Sequence, residues 1–513
     1  MAWIKRNVFA LLTAMLLVAA AAVVTVEARH QSTSDAVFTN HTATTQEAAA
    51  GWTGTDALNR YDLTLAFDPR DKRLTGRLQF AYANGEGQPM SELHFLLYAN
   101  SFAKQGYGAV SAEDLDSAYP NGFSSGSIAI DGVTAGGNDL DWAVTGEQQQ
   151  VLRVKLPQTL QPGGTATVTI AYTVTIPNCY GRFGYGEDTF SLVNCHPILS
   201  VYNDGQWHDY PYYEMGDPFY SEVADYTATI TAPAGYTLAA TGLTTRKDDG
   251  DRVVWTVNAP ARRDFGFAAS DHFRVESTEV DGVLVRSYWL DGDDTAGRQA
   301  LSTAAQSIEL YDDLYGAYPY GEFAVVQADF YIGGMEYPGM VLIDSTLYQS
   351  YSSRPALDLV VAHETAHQWW YAAVGNDEVQ LPWLDEGLTE FTTQVFFEKC
   401  RGEGYRNVYR QQIDYLADYR QMDADTDDTR ADLPSYDYDN ATSYSAWVYD
   451  RTASVLQALR AEVGDDAFFQ GMKDYYTANR LGIADRAALE DSLEHAIGRE
   501  LTDWLTQELG QAQ

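Results

Sequence analysis

Residues 361–370 read VAHETAHQWW, with two histidines four positions apart and a glutamate directly after the first. The surrounding run, ALDLVVAHETAHQWWYAAVG, has apolar residues at helical spacing and no proline or glycine before Gly375, which predicts a helix. On a helix, His363 and His367 project from one face about one turn apart, so two imidazole nitrogens can reach one ion. Glu364 is offset by one residue and can reach a metal-bound water without being a ligand. The pattern therefore predicts two metal ligands and a general base.

A catalytic zinc site needs a third protein ligand, and the chain offers one downstream. The 18 residues after His367 end at Glu386, in the stretch LPWLDEGLTEFTTQVFFEKC. Pro382 suits the first turn of a second helix that runs toward Gly402. Because the connection NDEVQLP is short, the two helices can face each other and Glu386 can complete the set. The alternative is a solvated first-turn glutamate favoured by the helix dipole.

Glu390 lies one turn beyond Glu386 on the same predicted helix. There it can accept the second N–H of a ligand histidine, as metal sites commonly require. A plain surface carboxylate is the alternative interpretation.

The pattern of apolar residues divides the chain into two domains. From Tyr61 to about Leu290, short alternating stretches such as RYDLTLAFD and TATVTIAYTVTI predict strands between turns. The period then becomes helical in RQALSTAAQSIELYDDLYGAY, which stops near Gly316, and strands return only near 322–343. We therefore expect an α+β protein, with an antiparallel β-rich N-terminal domain (55–291) followed by a mainly helical domain (292–513).

The first 54 residues differ from both domains. Lys5 and Arg6 precede 20 residues without charge, Asn7 to Val26, which are long enough to span the roughly 30 Å hydrocarbon core of a bilayer. We expect residues 1–30 to be an uncleaved transmembrane anchor, with a cleaved signal segment as the alternative. The positive charges keep the N-terminus in the cytoplasm and the body outside in either case. Residues 31–54 are rich in Ser, Thr and Ala and predict a flexible tether.

Charge and cysteine content exclude several functions. A formal charge of −39 would repel nucleic acid and anionic membrane surfaces, so contact with a membrane is expected through the N-terminal segment only. Outside the cytoplasm, Cys179 and Cys195 could form a disulfide, which leaves Cys400 over. Because no cysteine pairing or cluster has metal-site spacing, cysteine is not expected to bind metal. The sequence does not indicate an oligomeric state.

The HETAH motif, 18 residues and then Glu386 within WLDEGLTEF resemble the aminopeptidase N-like gluzincins, a zinc metallopeptidase family of the membrane alanyl aminopeptidase type with the signature HExxH-x18-E. YIGGMEYPGM, at residues 331–340, resembles the GxMEN exopeptidase motif of that family, and Tyr449 in WVYDRTASVLQALRAEVG resembles its catalytic tyrosine. The resemblance covers essentially residues 55–513. It implies a thermolysin-like catalytic domain and one Zn²⁺ per chain.

The resemblance also implies a substrate site. Gly333 and Gly334 would let the backbone approach a ligand, and Met335 to Met340 reads as an edge strand that can pair with an extended peptide. Glu336 would bind the free α-ammonium group of a peptide. Its alternative role is an edge-strand charge that prevents aggregation.

Tyr449 would donate a hydrogen bond to the oxyanion that forms at the scissile carbonyl, and Tyr444 is its nearest rival. The sequence departs from the family at three places: Tyr337, Asp385 and the pair Arg451–Thr452. These departures put in doubt the shape of the first subsite and the strict need for a free N-terminus. The family's second amine-binding residue, in the N-terminal domain, is not identified.

The sequence thus predicts an extracytoplasmic zinc aminopeptidase that hydrolyses the N-terminal bond of peptides through a zinc-activated water. A thermolysin-like endopeptidase that uses the same residues is the first alternative. A surface-binding protein with a structural zinc ion is the second, although such sites are usually closed by four protein ligands.

Overall fold

The computed structural model describes residues 58–351, 356–402 and 430–510. The predicted membrane segment (1–30) and the predicted tether (31–54) lie outside these ranges. Within them, every helix is too short or too polar to cross a bilayer.

An eight-stranded sheet forms the outer layer of the N-terminal half. In spatial order its strands are Leu243–Asp249, Arg252–Arg262, Ala224–Pro233, Asn59–Asp68, Arg73–Ala83, Thr165–Thr175, Ser127–Ala135 and Asn138–Asp139. Buried and exposed residues alternate along Asn59–Asp68, so one face of the sheet meets water and the other meets the core. All neighbouring strands are antiparallel except Asn59–Asp68 and Ala224–Pro233, which pair in parallel.

Two smaller sheets cover the apolar face of the large one. The first contains Thr237–Ala240, Gly266–Ser270, Phe190–Val193 and Phe183–Tyr185, and the second contains Ile198–Leu199, Met90–Leu96, Val151–Leu160 and Trp142–Thr145. A separate two-stranded ribbon, Tyr202–Asn203 with Gln206–Trp207, packs Tyr202 and Trp207 against the same core. Their apolar side chains form one continuous core. The predicted β-rich, mainly antiparallel N-terminal half is confirmed.

A five-stranded sheet joins the two halves of the molecule. Its order is Arg274–Val280, Val283–Trp289, Glu322–Ala328, Met340–Asp344 and Gly334–Met335. Because side chains alternate along a strand, Val326 and Leu342 pack into the N-terminal core, while Val325 and Val341 pack against the helices. The boundary predicted at residues 291/292 therefore falls between the second and third strands of one sheet, since the hairpin Arg274–Trp289 pairs in parallel with Glu322–Ala328.

The C-terminal half is mainly helical, as predicted. Its α-helices are Asp294–Tyr315, Ser345–Gln349, Ala356–Ala366, Trp383–Phe396, Ala441–Ser445, Thr452–Val463, Asp465–Asn479, Arg486–Ile497 and Thr502–Leu509. Single π-helical turns occupy Phe397–Arg401 and Ala446–Arg451. We call Ala356–Ala366 the histidine helix and Trp383–Phe396 the glutamate helix. The helix predicted to stop near Gly316 ends there, at a φ of 118°.

The structure corrects the predicted end of the histidine helix. The sequence predicts a helix up to Gly375, but the helix ends at Ala366, and His367 keeps only the bond from its N–H to the carbonyl of His363, at 3.3 Å. The reason is tertiary. Tyr371 has a φ of 130°, which no helix allows. The buried indoles of Trp369 and Trp370 donate hydrogen bonds to different partners, the carbonyl of Gly316 and the hydroxyl of Thr392.

The structure also differs from the predicted edge strand, and it leaves the two cysteines that could form a disulfide without one. The edge strand is Gly334–Met335 rather than Met335–Met340, because Pro338 and Gly339 turn the chain so that Met340 starts the neighbouring strand. Gly339 has a φ of 80°, as the third residue of such a turn requires. Cys179 and Cys195 are both buried and unbonded.

Candidate active site

Three predicted metal ligands converge at one point between the histidine and glutamate helices. The Nε2 atoms of His363 and His367 are 3.2 Å apart, and Oε2 of Glu386 lies 3.3 and 3.2 Å from them. A tetrahedral zinc site with arms of about 2.0–2.1 Å has edges of about 3.3–3.4 Å between ligand atoms. The triangle thus has the size of one face of such a site. Glu386 is buried, so the alternative of a solvated first-turn glutamate is wrong.

Each imidazole is oriented by a carboxylate at its other nitrogen. Nδ1 of His367 lies 2.5 Å from Oδ1 of Asp385, which is buried. Nδ1 of His363 lies 3.4 Å from Oε2 of Glu390, the contact that the predicted role of Glu390 requires. Both contacts leave Nε2 free to face the triangle. Sequence reasoning noted Asp385 only as a departure from the family pattern, although its place next to Glu386 could have indicated this contact.

Tyr449 reaches the triangle because two helical segments approach each other closely. It lies on the π-helical turn Ala446–Arg451, and its hydroxyl donates to Oε1 of Glu386. The approach depends on Gly387, because a Cβ there would lie 2.3 Å from Cγ2 of Thr452 and 2.8 Å from the carbonyl oxygen of Val448. A π-helical turn is a common device for aiming a side chain into a site.

Tyr444, the rival of Tyr449, also lies close to the triangle. Its ring centroid is 6.0 Å from that of Tyr449, and its buried hydroxyl has no hydrogen-bond partner in the described part of the chain. Either tyrosine hydroxyl could therefore donate a hydrogen bond to a substrate carbonyl.

Glu364 packs against the predicted substrate-binding segment. A Cβ on Gly334 would lie 2.2 Å from Oε1 of Glu364, so this position accepts only glycine without displacing the carboxylate. Gly333 has a φ of 85° and an open space around it. The two glycines thus serve different purposes: Gly333 shapes the backbone and Gly334 makes room for Glu364.

Glu336 follows this segment and is 4% exposed, with Oε1 lacking any hydrogen-bond partner among the described residues. Together with the triangle, Glu364, Gly333, Gly334 and Met335, it lines a cavity of about 440 Å³. A buried carboxylate oxygen without a partner costs free energy unless a cationic group meets it.

The N-terminal domain supplies the opposite wall of this cavity, which sequence reasoning missed. Arg182 forms an ion pair with Asp217, and its Nε lies 3.0 Å from Sδ of Met335. Both charged residues line the cavity, and the charge of Asp217 acts on Glu336. No local pattern marks either residue, because Arg182 lies in an irregular stretch and Asp217 in a proline-rich one.

The ionisable groups of the triangle compete for protons. Burial would raise the pKa of Glu386, but the two imidazoles hold it well below its ordinary range. Burial would lower the pKa of His363, but hydrogen bonds to Glu386 and Glu390 raise it to about 9. Burial raises the pKa of Glu364 to about 7, against the effect of the imidazoles. The point where the three ligand atoms meet thus attracts positive charge.

The residues present fit a zinc ion. Two imidazole nitrogens and one carboxylate oxygen are a donor set of catalytic zinc, and all three residues line the cavity, so the fourth position is open to it. A bound ion would displace the protons that the imidazoles share with Glu386, because only neutral imidazole binds metal.

Comparisons with known proteins point to the same chemistry. Residues 299–507 match the peptidase family M1 domain. The chain is 27% identical over 244 residues to aminopeptidase M1-B of Oryza sativa subsp. japonica, which covers 45% of this chain and 27% of that protein. It is 28% identical over 219 residues to aminopeptidase N of Lactococcus lactis subsp. lactis, which covers 40% of this chain and 25% of that protein. The matched segment thus spans about a quarter of these relatives.

The fold is shared over a longer stretch. An M1 zinc metallopeptidase from Deinococcus radiodurans superposes with a TM-score of 0.61 at 19% identity, over 90% of this chain and 96% of that one. A mutant of that protein bound to a Tyr-Ser-Ala substrate gives the same TM-score, over 89% and 95% of the two chains. This likeness shows a common two-part fold. The match of residues 299–507 to the peptidase family M1 domain and the HETAH-x18-Glu386 site together support a likeness to the aminopeptidase N-like gluzincins.

Proposed function

We propose that this chain is a zinc aminopeptidase that removes the first residue from peptides. The observation that carries the proposal is the cavity of about 440 Å³ that joins the ligand triangle to the unpartnered carboxylate of Glu336. It offers a site for a metal-activated hydrolysis and, beside it, a site for a free α-ammonium group. The D. radiodurans mutant was solved with a tripeptide substrate, which agrees with a peptide in this cleft.

His363, His367 and Glu386 would hold one Zn²⁺ per chain. When bound, zinc supplies a Lewis acid for the scissile carbonyl and lowers the pKa of water. The catalytic role of zinc rests on the donor set and on the open fourth position.

Glu364 acts as the general base and acid. Its carboxylate takes a proton from the attacking water and returns it to the amine that leaves. Gly334 keeps it in place, since any side chain there would collide with Oε1. Burial raises the pKa of this carboxyl, which helps it to hold a proton between the two steps.

Tyr449 stabilises the negative charge that develops on the carbonyl oxygen. For this step its hydroxyl turns from Oε1 of Glu386 toward the substrate. Glu336 binds the α-ammonium group, and Asp217 adds negative charge from the N-terminal domain. This pair would place the first peptide bond, and no later one, at the triangle.

The experiment compares three proteins on one peptide with a free and with an N-acetylated amine. We expect the wild-type protein to cleave only the free peptide, and only after its first residue. Glu364→Gln should lower kcat by about 10²–10⁴-fold while it retains zinc, because it removes only the proton carrier. Glu336→Gln should raise KM for the free peptide.

Two outcomes would favour the alternatives. Equal cleavage of the free and acetylated peptides would indicate an endopeptidase. Hydrolysis that survives both a chelator and Glu364→Gln would remove the mechanism, and a tightly held zinc without any hydrolysis would favour a binding protein.

We also propose that the body lies outside the cytoplasm, anchored by residues 1–30. The support is the uncharged stretch after Lys5 and Arg6. Cell fractionation with protease added from outside tests it: the catalytic domain should be digested in intact cells and the chain should stay with membranes.

A further inference from the structure

Two carboxylates in the cavity wall have no role in the chemistry above. Among the described residues, the cavity is lined by a single guanidinium, Arg182, and by seven carboxylates: Asp114, Glu214, Asp217, Glu336, Glu364, Glu386 and Glu390. Five of the seven act on the metal, the histidines, the water, the amine or Arg182. Asp114 and Glu214 remain.

Asp114 is the better placed of the two. It precedes the short helix Leu115–Ala118, yet its side chain does not cap that helix, the usual role of aspartate there. Instead it accepts a hydrogen bond of 2.7 Å from the hydroxyl of Ser111. No arginine or lysine of the described chain lies within ion-pair distance of it. Glu214 is exposed, so solvent screens its charge.

A second observation indicates that this wall meets a cationic ligand. The partnerless Oε1 of Glu336, on a side chain that is 4% exposed, lines the same cavity. If the α-ammonium group binds there and the scissile carbonyl lies at the triangle, the Cα between them is one bond from each. The side chain on that Cα must then enter the remaining part of the cavity.

The remaining part has an apolar stretch that leads to a charge. Tyr331 and Ile332, directly before Gly333, line the cavity together with Asp114. The charge of Asp114 reaches Tyr331: burial raises the pKa of that tyrosine most, Arg182 lowers it, and Asp114 raises it. The alkyl stem of a long basic side chain can lie along such a surface while its head meets the charge. Arg182 places a positive charge near the same surface, and its ion pair with Asp217 offsets part of that charge.

We propose that Asp114 makes the site select peptides whose first residue is arginine or lysine. This inference rests on the proposed aminopeptidase activity and names its substrate class.

The test uses pairs of dipeptides whose first residues have similar shape but different charge. Arginyl-alanine is compared with citrullinyl-alanine, and lysyl-alanine with norleucyl-alanine. We expect the wild-type protein to prefer the charged member about tenfold in kcat/KM. Asp114→Asn should bring both ratios to about one, while its rate on the norleucine peptide stays that of the wild type and so shows that the protein is folded.

Three matched variants sharpen the test. Asp116→Asn removes an exposed charge on the same short helix that does not line the cavity, and Ser111→Ala removes the hydrogen-bond partner but keeps the carboxylate. Both should keep the preference. Glu214→Gln should change the ratios less than twofold, because that residue is exposed.

The outcomes separate the inference from the proposed function. Ratios near one in the wild type, or ratios that Asp114→Asn leaves unchanged, overturn the inference while the aminopeptidase stands. Loss of preference in Glu214→Gln instead would overturn the assignment to Asp114. If no peptide with a free amine is cleaved, the proposed function fails and takes the inference with it.

Discussion

The two walls of the cavity differ in how the chain builds them. The catalytic wall consists of His363, Glu364 and Glu386 with Tyr449, and three of these four residues come from two consecutive helices. The N-terminal wall consists of Asp114, Arg182 and Asp217, which come from separate loops and strand ends of the β-rich half. Helical periodicity brings the first set together, whereas only the complete fold brings the second. We therefore expect chemistry to depend on the catalytic wall and selection of the peptide on the N-terminal wall.

The largest effect should come from Glu386→Gln. The amide lacks the charge that balances the ion, so we expect loss of tightly bound zinc and a fall in kcat/KM of at least about 10³-fold. Metal analysis by mass spectrometry and peptide hydrolysis measure the two effects. The matched change Glu390→Gln alters a residue that contacts the ligand His363 but not the ion, and it should weaken zinc binding by about 10–100-fold. A Glu386→Gln protein with one tight zinc and the wild-type rate would contradict the ligand assignment.

The next effect separates the two tyrosines. Tyr449→Phe should lower kcat by about 10²–10³-fold with little change in KM, because it removes a donor to the developing oxyanion. Tyr444→Phe should lower it less than about threefold, since its hydroxyl packs against Gly216, where a Cβ would lie 2.6 Å away. The opposite ranking would give the role to Tyr444.

Gly334→Ala tests how the edge strand positions the base. The new methyl would collide with Glu364, and a displacement of about 1 Å costs about 10²-fold in rate. Gly333→Ala is the control, because its methyl meets open space. Its φ of 85° should cost about 1–2 kcal/mol of stability, and because the methyl enters the cavity without touching Glu364, KM should rise while kcat stays near that of the wild type. Equal rates for the two variants would show that Glu364 does not need this contact.

The smallest effect should come from the N-terminal wall. Asp217→Asn leaves Arg182 without its partner near the amine site, so KM should rise about tenfold while kcat and zinc content stay constant. Steady-state kinetics with a free-amine peptide measure it. A loss of zinc in Asp217→Asn would break the division between the two walls.

Much of the fold and the catalytic wall could be predicted because the signals are local. Alternation predicted the β-rich half, the HETAH spacing predicted a pair of ligands, and Pro382 marked the start of the glutamate helix. The errors came from tertiary contacts. Trp369 and Trp370 end the histidine helix early, although their apolar character suits a longer one.

The N-terminal wall had no such signal. Arg182 and Asp217 are 35 residues apart and pair only because the β-rich core folds their segments against the Gly334–Met335 strand. The expected domain boundary also falls inside one five-stranded sheet. The sequence could not show this, because the alternation of a strand is the same whichever half of the molecule the strand joins. Spacing in the sequence carries no information about such distant pairs.

The hairpin Arg274–Trp289 determines which truncated fragments of the protein can fold. A fragment trimmed to the family match would begin at residue 299, inside the helix Asp294–Tyr315, and would lack both strands of this hairpin. The remaining sheet would then expose a new edge strand and the apolar face that carries Val326 and Leu342. Both features promote aggregation. Truncated proteins for expression or crystallisation should therefore retain the β-rich half, because without it the helical half would expose an apolar sheet face to water.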